Sequence, residues 1–280
     1  MIIGSNGLLG TSLKEVFKND HEVVAFDSPE IDITDKTSVS AHVERYRPEI
    51  ILNSAAINAV DAIENDEKVF RSALAVNAAG VGIIADAAKK INAVVVHFSS
   101  DYVFKGDDTK GYMENSALDP VNKYGFTKAE GERMLVENTD RYYLIRLSRL
   151  FGAPALATGA KKSFVEKILE KAATEKEVAV VDDEFSSPTY SNDLAKLVKM
   201  LIIQKMPFGI YHGANSGACS WYDFAKEIFK IKNIKTMLVA KKSAEVSDPK
   251  IAKRPKYSEL VSTKLPKQRP WQEALNEYLS

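Results

Sequence analysis

The chain has 280 residues, 45% of them hydrophobic and 27% charged, which describes a folded protein with a sizeable core and excludes a disordered one. Its 38 basic and 38 acidic side chains cancel, so net charge gives no reason to expect nucleic acid or an anionic membrane as partner, and a small molecule becomes the default ligand. The single cysteine, Cys219, excludes an internal disulfide or a multi-thiolate metal site and fits a reducing, cytoplasmic location; no apolar run approaches the roughly 18 to 20 residues that cross a bilayer, and residues 1–4 lack the basic region of an export signal.

The first element is a strand so short that only three residues precede Gly4, either because the strand is brief or because the chain is trimmed. Gly4-Ser5-Asn6-Gly7-Leu8-Leu9-Gly10 then leads into a predicted helix over 11–17. Its G-x-x-G-x-x-G spacing differs from the G-x-G-x-x-G fingerprint but shares its physics. Glycines allow a tight turn and close backbone approach, and a helix N-terminus meets a diphosphate. A second strand over 23–26 ends at Asp27, 17 residues beyond Gly10. A carboxylate there accepts hydrogen bonds from an adenosine ribose and repels a 2′-phosphate. No Arg or Lys lies between Lys18 and Lys36, so of NADH and NADPH the sequence slightly favours NADH.

Brief β-branched runs over 50–53, 93–98, 142–146 and 178–181 read as buried strands, and 66–92 and 163–177 as helices between them. That alternation predicts an α/β fold, a doubly wound parallel sheet of Rossmann type with a smaller C-terminal α/β lobe. The nucleotide-binding lobe is expected over 1–150 with 178–212, and a substrate lobe over 151–177 and 213–280. Residues 230–269 carry twelve Lys or Arg against three Asp or Glu, either a solvated surface or a lobe that attracts an anionic substrate.

Tyr-x-x-x-Lys occurs at Tyr124/Lys128 and at Tyr222/Lys226. With 11 tyrosines and 29 lysines, roughly one such pair arises by chance, so context must choose. Tyr222 lies among Trp221, Phe224, Ala225 and Ile228, an apolar helical stripe that predicts a core role. Tyr124 opens a helical stretch over 124–137, 24 residues after Ser100, which follows the strand over 93–98 at the edge expected to border a ligand crevice. One helical turn places Lys128 beside Tyr124. An ammonium near a phenol lowers its pKa toward working pH, and a serine hydroxyl can hydrogen-bond the reacting oxygen, a set suited to carbonyl reduction by hydride from a nicotinamide. His97, inside a strand, and Cys219 read as core residues. Asp61 and Glu64 read either as helix-start residues or as a support for a cofactor loop.

Beyond the glycine turn and Tyr124/Lys128, the chain carries Asp32-Ile33-Thr34-Asp35, Asn53-Ser54-Ala55-Ala56, Val76-Asn77, His97-Phe98-Ser99-Ser100-Asp101-Tyr102-Val103-Phe104, Phe185-Ser186-Ser187-Pro188-Thr189-Tyr190 and Arg254-Pro255-Lys256-Tyr257-Ser258. With these blocks it resembles the extended short-chain dehydrogenases/reductases, and within them the dTDP-4-dehydrorhamnose reductase family. The resemblance implies reduction of a 4-keto-6-deoxy nucleotide sugar with NADH or NADPH. Tyr124 would protonate the sugar C4 oxygen, Lys128 would hold the nicotinamide ribose and lower the Tyr124 pKa, and Ser100 would align the carbonyl. It also implies cofactor contacts from Gly4, Asn6, Gly7, Leu8, Leu9, Gly10, Asp27, Asp32, Ile33, Ser54, Ala55, Ala56, Asn77, Ser99, Tyr124 and Lys128, and substrate contacts from Ser100, Asp101, Val103, Tyr124 and Arg149. Arg149 stands where the family often has an aromatic residue, which leaves the sugar open. Some members dimerise around magnesium held by glutamates; Ser12 and Asn192 occupy two of those positions here. A monomer or weak homodimer with no metal is therefore expected. Two alternatives stay open: a cofactor-binding regulatory subunit resembling the methionine adenosyltransferase β subunit, and another nucleotide-sugar reductase or epimerase.

Overall fold

Six parallel strands build the central sheet of this computed structural model, which describes residues 1–157, 162–245, 248 and 250–280. They are β1 (Ile2–Ile3), β2 (Ala25–Phe26), β3 (Ile50–Asn53), β4 (Val94–Ser100), β5 (Tyr142–Leu147) and, much later in the chain, β10 (Gly209–His212). Their order is β10-β5-β4-β3-β1-β2, every neighbouring pair parallel. Alternate residues of one strand face opposite sides of the sheet. Ile3, Ile51, Val95 and Leu144 therefore enter one core and Ile2, Leu52, Val96 and Ile145 the other.

Helices cover both faces. The first core is closed by α2 (Lys36–Tyr46), through Val39 and Val43, and by α5 (Gly80–Lys90), through Val81, Ile84 and Ala88. It is completed by Leu135 of α6 (Lys123–Asn138). The second core is closed by α1 (Leu8–Phe17) and α8 (Ser191–Ile203). Short α3 (Val60–Asn65) and α4 (Glu67–Leu74) follow β3, and a π-helical turn, Ala75–Ala79, joins α4 to α5. Taken as one helix, Glu67–Lys90 is long and apolar enough to cross a membrane, contrary to the expectation that no run approaches that length. Its apolar content comes from alanines, valines and isoleucines, several of which pack against the sheet.

The remaining elements make a smaller lobe. Its pieces are β6 (Leu150–Phe151) with β9 (Thr189–Tyr190), β7 (Glu177–Val181) with β12 (Met237–Lys241), and β8 (Phe185–Ser186) between β11 (Cys219–Ser220) and β13 (Tyr257–Ser258). Helices α7 (Phe164–Thr174), α9 (Trp221–Ile231) and α10 (Trp271–Leu279) pack with them around Phe151, Val178, Val180, Phe224, Ile228 and Trp271. Residues 178–181, expected with the nucleotide-binding lobe, thus belong here. Their valines find apolar partners on α7 and α9, whereas 191–212 supply α8 and β10 to the large sheet. Positions 158–161, 246, 247 and 249 of the expected substrate lobe lie outside the described residues.

Candidate active site

After β2 the chain crosses β1 to form β3 on its other side, so the loops after β1 and β3 diverge at a switch point where a crevice opens. The glycine turn sits there. Gly4 has φ +76°, and a Cβ on it would stand 2.7 Å from the Ala55 nitrogen; a Cβ on Gly10 would stand 2.1 Å from the Gly4 carbonyl oxygen. The backbone therefore approaches the Ser54–Ala55 loop as only glycine allows. Gly7 caps α1 with no side-chain bond, leaving the first helical N–H groups, from Leu8 onward, aimed at the crevice. A backbone cradle on the positive end of a helix fits the diphosphate of a dinucleotide.

Asp27 ends β2 against this turn, its Oδ2 accepting the Asn6 N–H at 2.8 Å. Lys14, which sequence reasoning passed over, reaches the same place: its Nζ donates to Asn6 Oδ1 at 3.1 Å. A basic side chain thus bonds the same residue that Asp27 holds, despite the absence of basic residues after β2. Ser54 donates its hydroxyl to the Ile3 and Gly4 carbonyls, and Asp32 Oδ1 takes the N–H and hydroxyl of Thr34. Leu9 and Ile33 bury their side chains in the two cores, so what they present to the crevice is backbone.

At the C-terminal end of β4 stand Ser99, Ser100 and Asp101. Ser100 Oγ donates to Asp101 Oδ1 at 3.1 Å and accepts the Tyr102 N–H at 3.2 Å. The Ser258 hydroxyl, brought over by the smaller lobe, donates to Asp101 Oδ2 at 2.6 Å. Tyr124 lies in the first turn of α6, whose N-terminus is fixed twice. Asn122 caps it through the Gly125 N–H at 2.8 Å, and Glu64 accepts the Lys123 N–H at 2.9 Å. Glu64 therefore supports the start of the helix carrying Tyr124, while Asp61 accepts from Arg254 at 2.7 Å and from the Ala252 N–H at 3.0 Å. Gly125 and Gly131 let α6 descend to backbone contact. Cβ atoms there would lie 2.1 Å from the carbonyl oxygens of Tyr102 and Asn77, respectively.

Asn77, fully buried in the π-helical turn, grips the backbone of Ile57 through its N–H and C=O, both at 2.9 Å, and donates to Thr127 Oγ1 at 3.0 Å. Its side chain therefore ties the loop after β3 to the helix of Tyr124, a positioning role rather than an open contact.

Burial pushes the Tyr124 phenol up to about 12, with the Ser100 hydroxyl pulling it back down. The net shift is thus upward, where the resemblance implied a lowering by Lys128. Lys128 is buried and donates Nζ to the Phe98 carbonyl at 2.7 Å, and its own ammonium is lowered to about 8 by desolvation. Tyr102 packs edge-on against Tyr124 with ring centroids 5.6 Å apart.

Two other residues expected at the substrate have their side chains engaged within the protein. Val103 is fully buried in a small cluster with Phe104, Tyr112, Ala214 and Leu260, because the 3-10 turn Asp101–Val103 rotates it inward, so its side chain lies in the core and not in the crevice. Arg149 has its guanidinium 3.9 Å from the Trp221 ring centroid and donates to the Cys219 and Glu184 carbonyls, both at 2.7 Å. Its donors brace the wall of the smaller lobe. His97 is buried and held neutral by desolvation, and burial raises the Cys219 thiol to about 12. Among the described residues, no group of three or more His, Cys, Asp or Glu could hold a metal ion. Grooves of about 490 and 380 Å³ lie behind α6 and at the opposite end of β1 and β3; neither is lined by Tyr124 or Ser100.

The family model described as RmlD substrate binding domain matches residues 1–280. The chain is 36% identical to the spore coat polysaccharide biosynthesis protein SpsK of Bacillus subtilis, over all of this chain and 96% of that protein. It is 34% identical to a dTDP-4-dehydrorhamnose reductase of Aggregatibacter actinomycetemcomitans, over 95% and 91% of the two. A crystal structure of dTDP-4-dehydrorhamnose reductase from Bacillus anthracis in complex with NADP superposes with a TM-score of 0.92 at 34% identity, covering 99% of this chain and 96% of that one.

Proposed function

The chain belongs to the RmlD substrate binding domain family, and from that premise we propose that it reduces the C4 keto group of a 4-keto-6-deoxy nucleotide sugar, dTDP-4-dehydrorhamnose to dTDP-rhamnose. The observation that carries this is the convergence of Ser100, Tyr124 and Lys128 beside the Gly4–Gly10 cradle. When bound, NADH or NADPH supplies the hydride that reaches C4. The cradle holds the diphosphate with the α1 N-terminus, Asp27 takes the adenosine ribose, and Lys128 takes the nicotinamide ribose. Tyr124, kept protonated by burial, gives its proton to the C4 oxygen, and Ser100 hydrogen-bonds that oxygen beforehand. The phenol therefore enters the step carrying the proton it must deliver.

Asp27 favours NADH through its charge, while Lys14 beside Asn6 works in the opposite direction by tolerating a 2′-phosphate; the balance supports use of both with a modest preference for NADH. The substrate is an anion, and Arg254, a member of the basic surplus, lies close enough to Tyr102 and Glu184 to act on both. Ser12 is buried against Ser191, the hydroxyls 2.7 Å apart, and brings no carboxylate to a divalent ion. Assembly is therefore independent of magnesium, as a monomer or weak dimer of a cytoplasmic enzyme; EDTA should leave both the mass by light scattering and the activity unchanged, and a magnesium-dependent dimer would refute this. The function itself is tested with a panel of nucleotide 4-keto sugars, following NADH and NADPH oxidation. Tight cofactor binding with no sugar reduced would favour the regulatory alternative.

A further inference from the structure

The inward face of α6 carries two charged side chains one turn apart, Lys128 at 2% exposure and Glu132 at 3%. The proposed chemistry uses only the first. Glu132 is nevertheless the more firmly held. Arg146 of β5 donates Nε and Nη2 to its two oxygens at 2.9 and 2.7 Å, and Ser99 of β4 donates its hydroxyl to Oε1 at 2.6 Å. Arg146 is fixed in turn, donating to the Glu114 carbonyl at 3.0 Å and lying over the Phe104 ring. A buried ion pair of this kind contributes little net stability compared with apolar side chains of similar volume, because desolvation offsets its attraction. Its position beneath Lys128 suggests what else it does.

We propose that Glu132 is a positioning residue for Lys128: clamped from β4 by Ser99 and from β5 by Arg146, it fixes the inward face of α6 and supplies the negative charge that Lys128 faces in the core. This rests on the proposed reductase function. The groups facing Lys128 are few. On α6 they are Tyr124 one turn before and Glu132 one turn after; from β4 comes His97, neutral through burial; from the π-helical turn comes the uncharged Asn77, bonded to Thr127. Arg146 approaches only through Glu132. Glu132 is thus the acidic group that opposes the desolvation of the ammonium. Without it, Lys128 would share the core with an uncompensated Arg146, and the neutral amine would gain.

The charge state is read directly, without turnover, from the 13Cε resonance of Lys128 in the full-length protein carrying labelled lysine, assigned by its loss in Lys128→Met. The wild type should titrate near pH 8. In Glu132→Gln the acid constant should rise roughly tenfold, one pH unit down, and Glu132→Asp should recover part of the shift. Because Glu132→Gln leaves Arg146 unpaired and could unfold the chain, a Glu132→Met/Arg146→Met double variant removes both charges; it too should titrate lower. Unchanged midpoints in folded Gln and double variants overturn the proposal. The alkaline limb of kcat should move down with the midpoint, and a limb that stays while the midpoint moves overturns it as well. A wild type that reduces no nucleotide sugar defeats the proposed function instead; the titration then decides alone, a lowered midpoint supporting the role of Glu132.

Discussion

Helices α6 and α9 carry the same Tyr-x-x-x-Lys spacing and put it to different ends. On α6 the lysine is buried, donates to a strand carbonyl and sits a turn from a phenol that meets a serine. On α9 Lys226 is exposed, and Tyr222 packs at the margin of the smaller lobe's core beside Phe224 and Ile228. Four-residue spacing guarantees only a shared helical face. What that face meets decides the chemistry: α6 lies across the C-terminal end of β4, where Ser100 stands, while α9 meets the apolar side chains of β7, α7 and α10.

The contrast can be broken most severely at the phenol. Tyr124→Phe should cost roughly 10² to 10⁴ in kcat, the scale of general-acid catalysis, while NADH binding by fluorescence titration survives. Equal losses from Tyr124→Phe and Tyr222→Phe in folded proteins would erase the distinction between the helices. Lys128→Met should weaken turnover and NADH affinity each by roughly 10- to 100-fold, the range for one lost hydrogen bond from a charged group; an effect on turnover alone would remove the ribose role. Away from α6, Asp27→Ala should change the ratio of NADH to NADPH affinity by about tenfold towards NADPH, since a lost carboxylate removes both an acceptor and a repulsion. Lys14→Met should shift the ratio the other way, and no change in either variant would remove the glycine turn from cofactor choice. Smallest of all, Tyr222→Phe should leave kcat and KM near wild type, with a thermal midpoint moved by a few degrees at most.

Strands, crossovers and the glycine turn were legible because they rest on local rules: β-branched runs, helical periodicity and the steric demand at Gly4 and Gly10. The choice of Tyr124 over Tyr222 was legible for the same reason, since the apolar stripe around Tyr222 lies within a few residues of it. What escaped was set by contacts between distant segments. Residues 178–181 look like any buried parallel strand, and only pairing with β12 assigns them to the smaller lobe. Val103 sits two residues from Asp101 in a block that reads as a site, and a single 3-10 turn sends it into the core. Lys14 reaches back along α1 to Asn6, eight residues before it in the glycine turn. The upward shift of the phenol escaped because spacing reports that Lys128 is close, not that the fold buries Tyr124.

The π-helical turn at Ala75–Ala79 gives the long helix an angular reading frame. Its bond from the Gly80 N–H to the Ala75 carbonyl encloses one residue more than an α-turn. Everything after it is therefore rotated by about 100° from the phase that α4 alone would dictate. Asn77 occupies that extra turn and spends its amide on Ile57 and Thr127, so the loop after β3 and the helix of Tyr124 are kept in step by a residue count. Exchanging one small side chain for another in this turn preserves the count, whereas deleting a single residue should straighten the helix, swing Asn77 away and uncouple the loop after β3 from the helix of Tyr124.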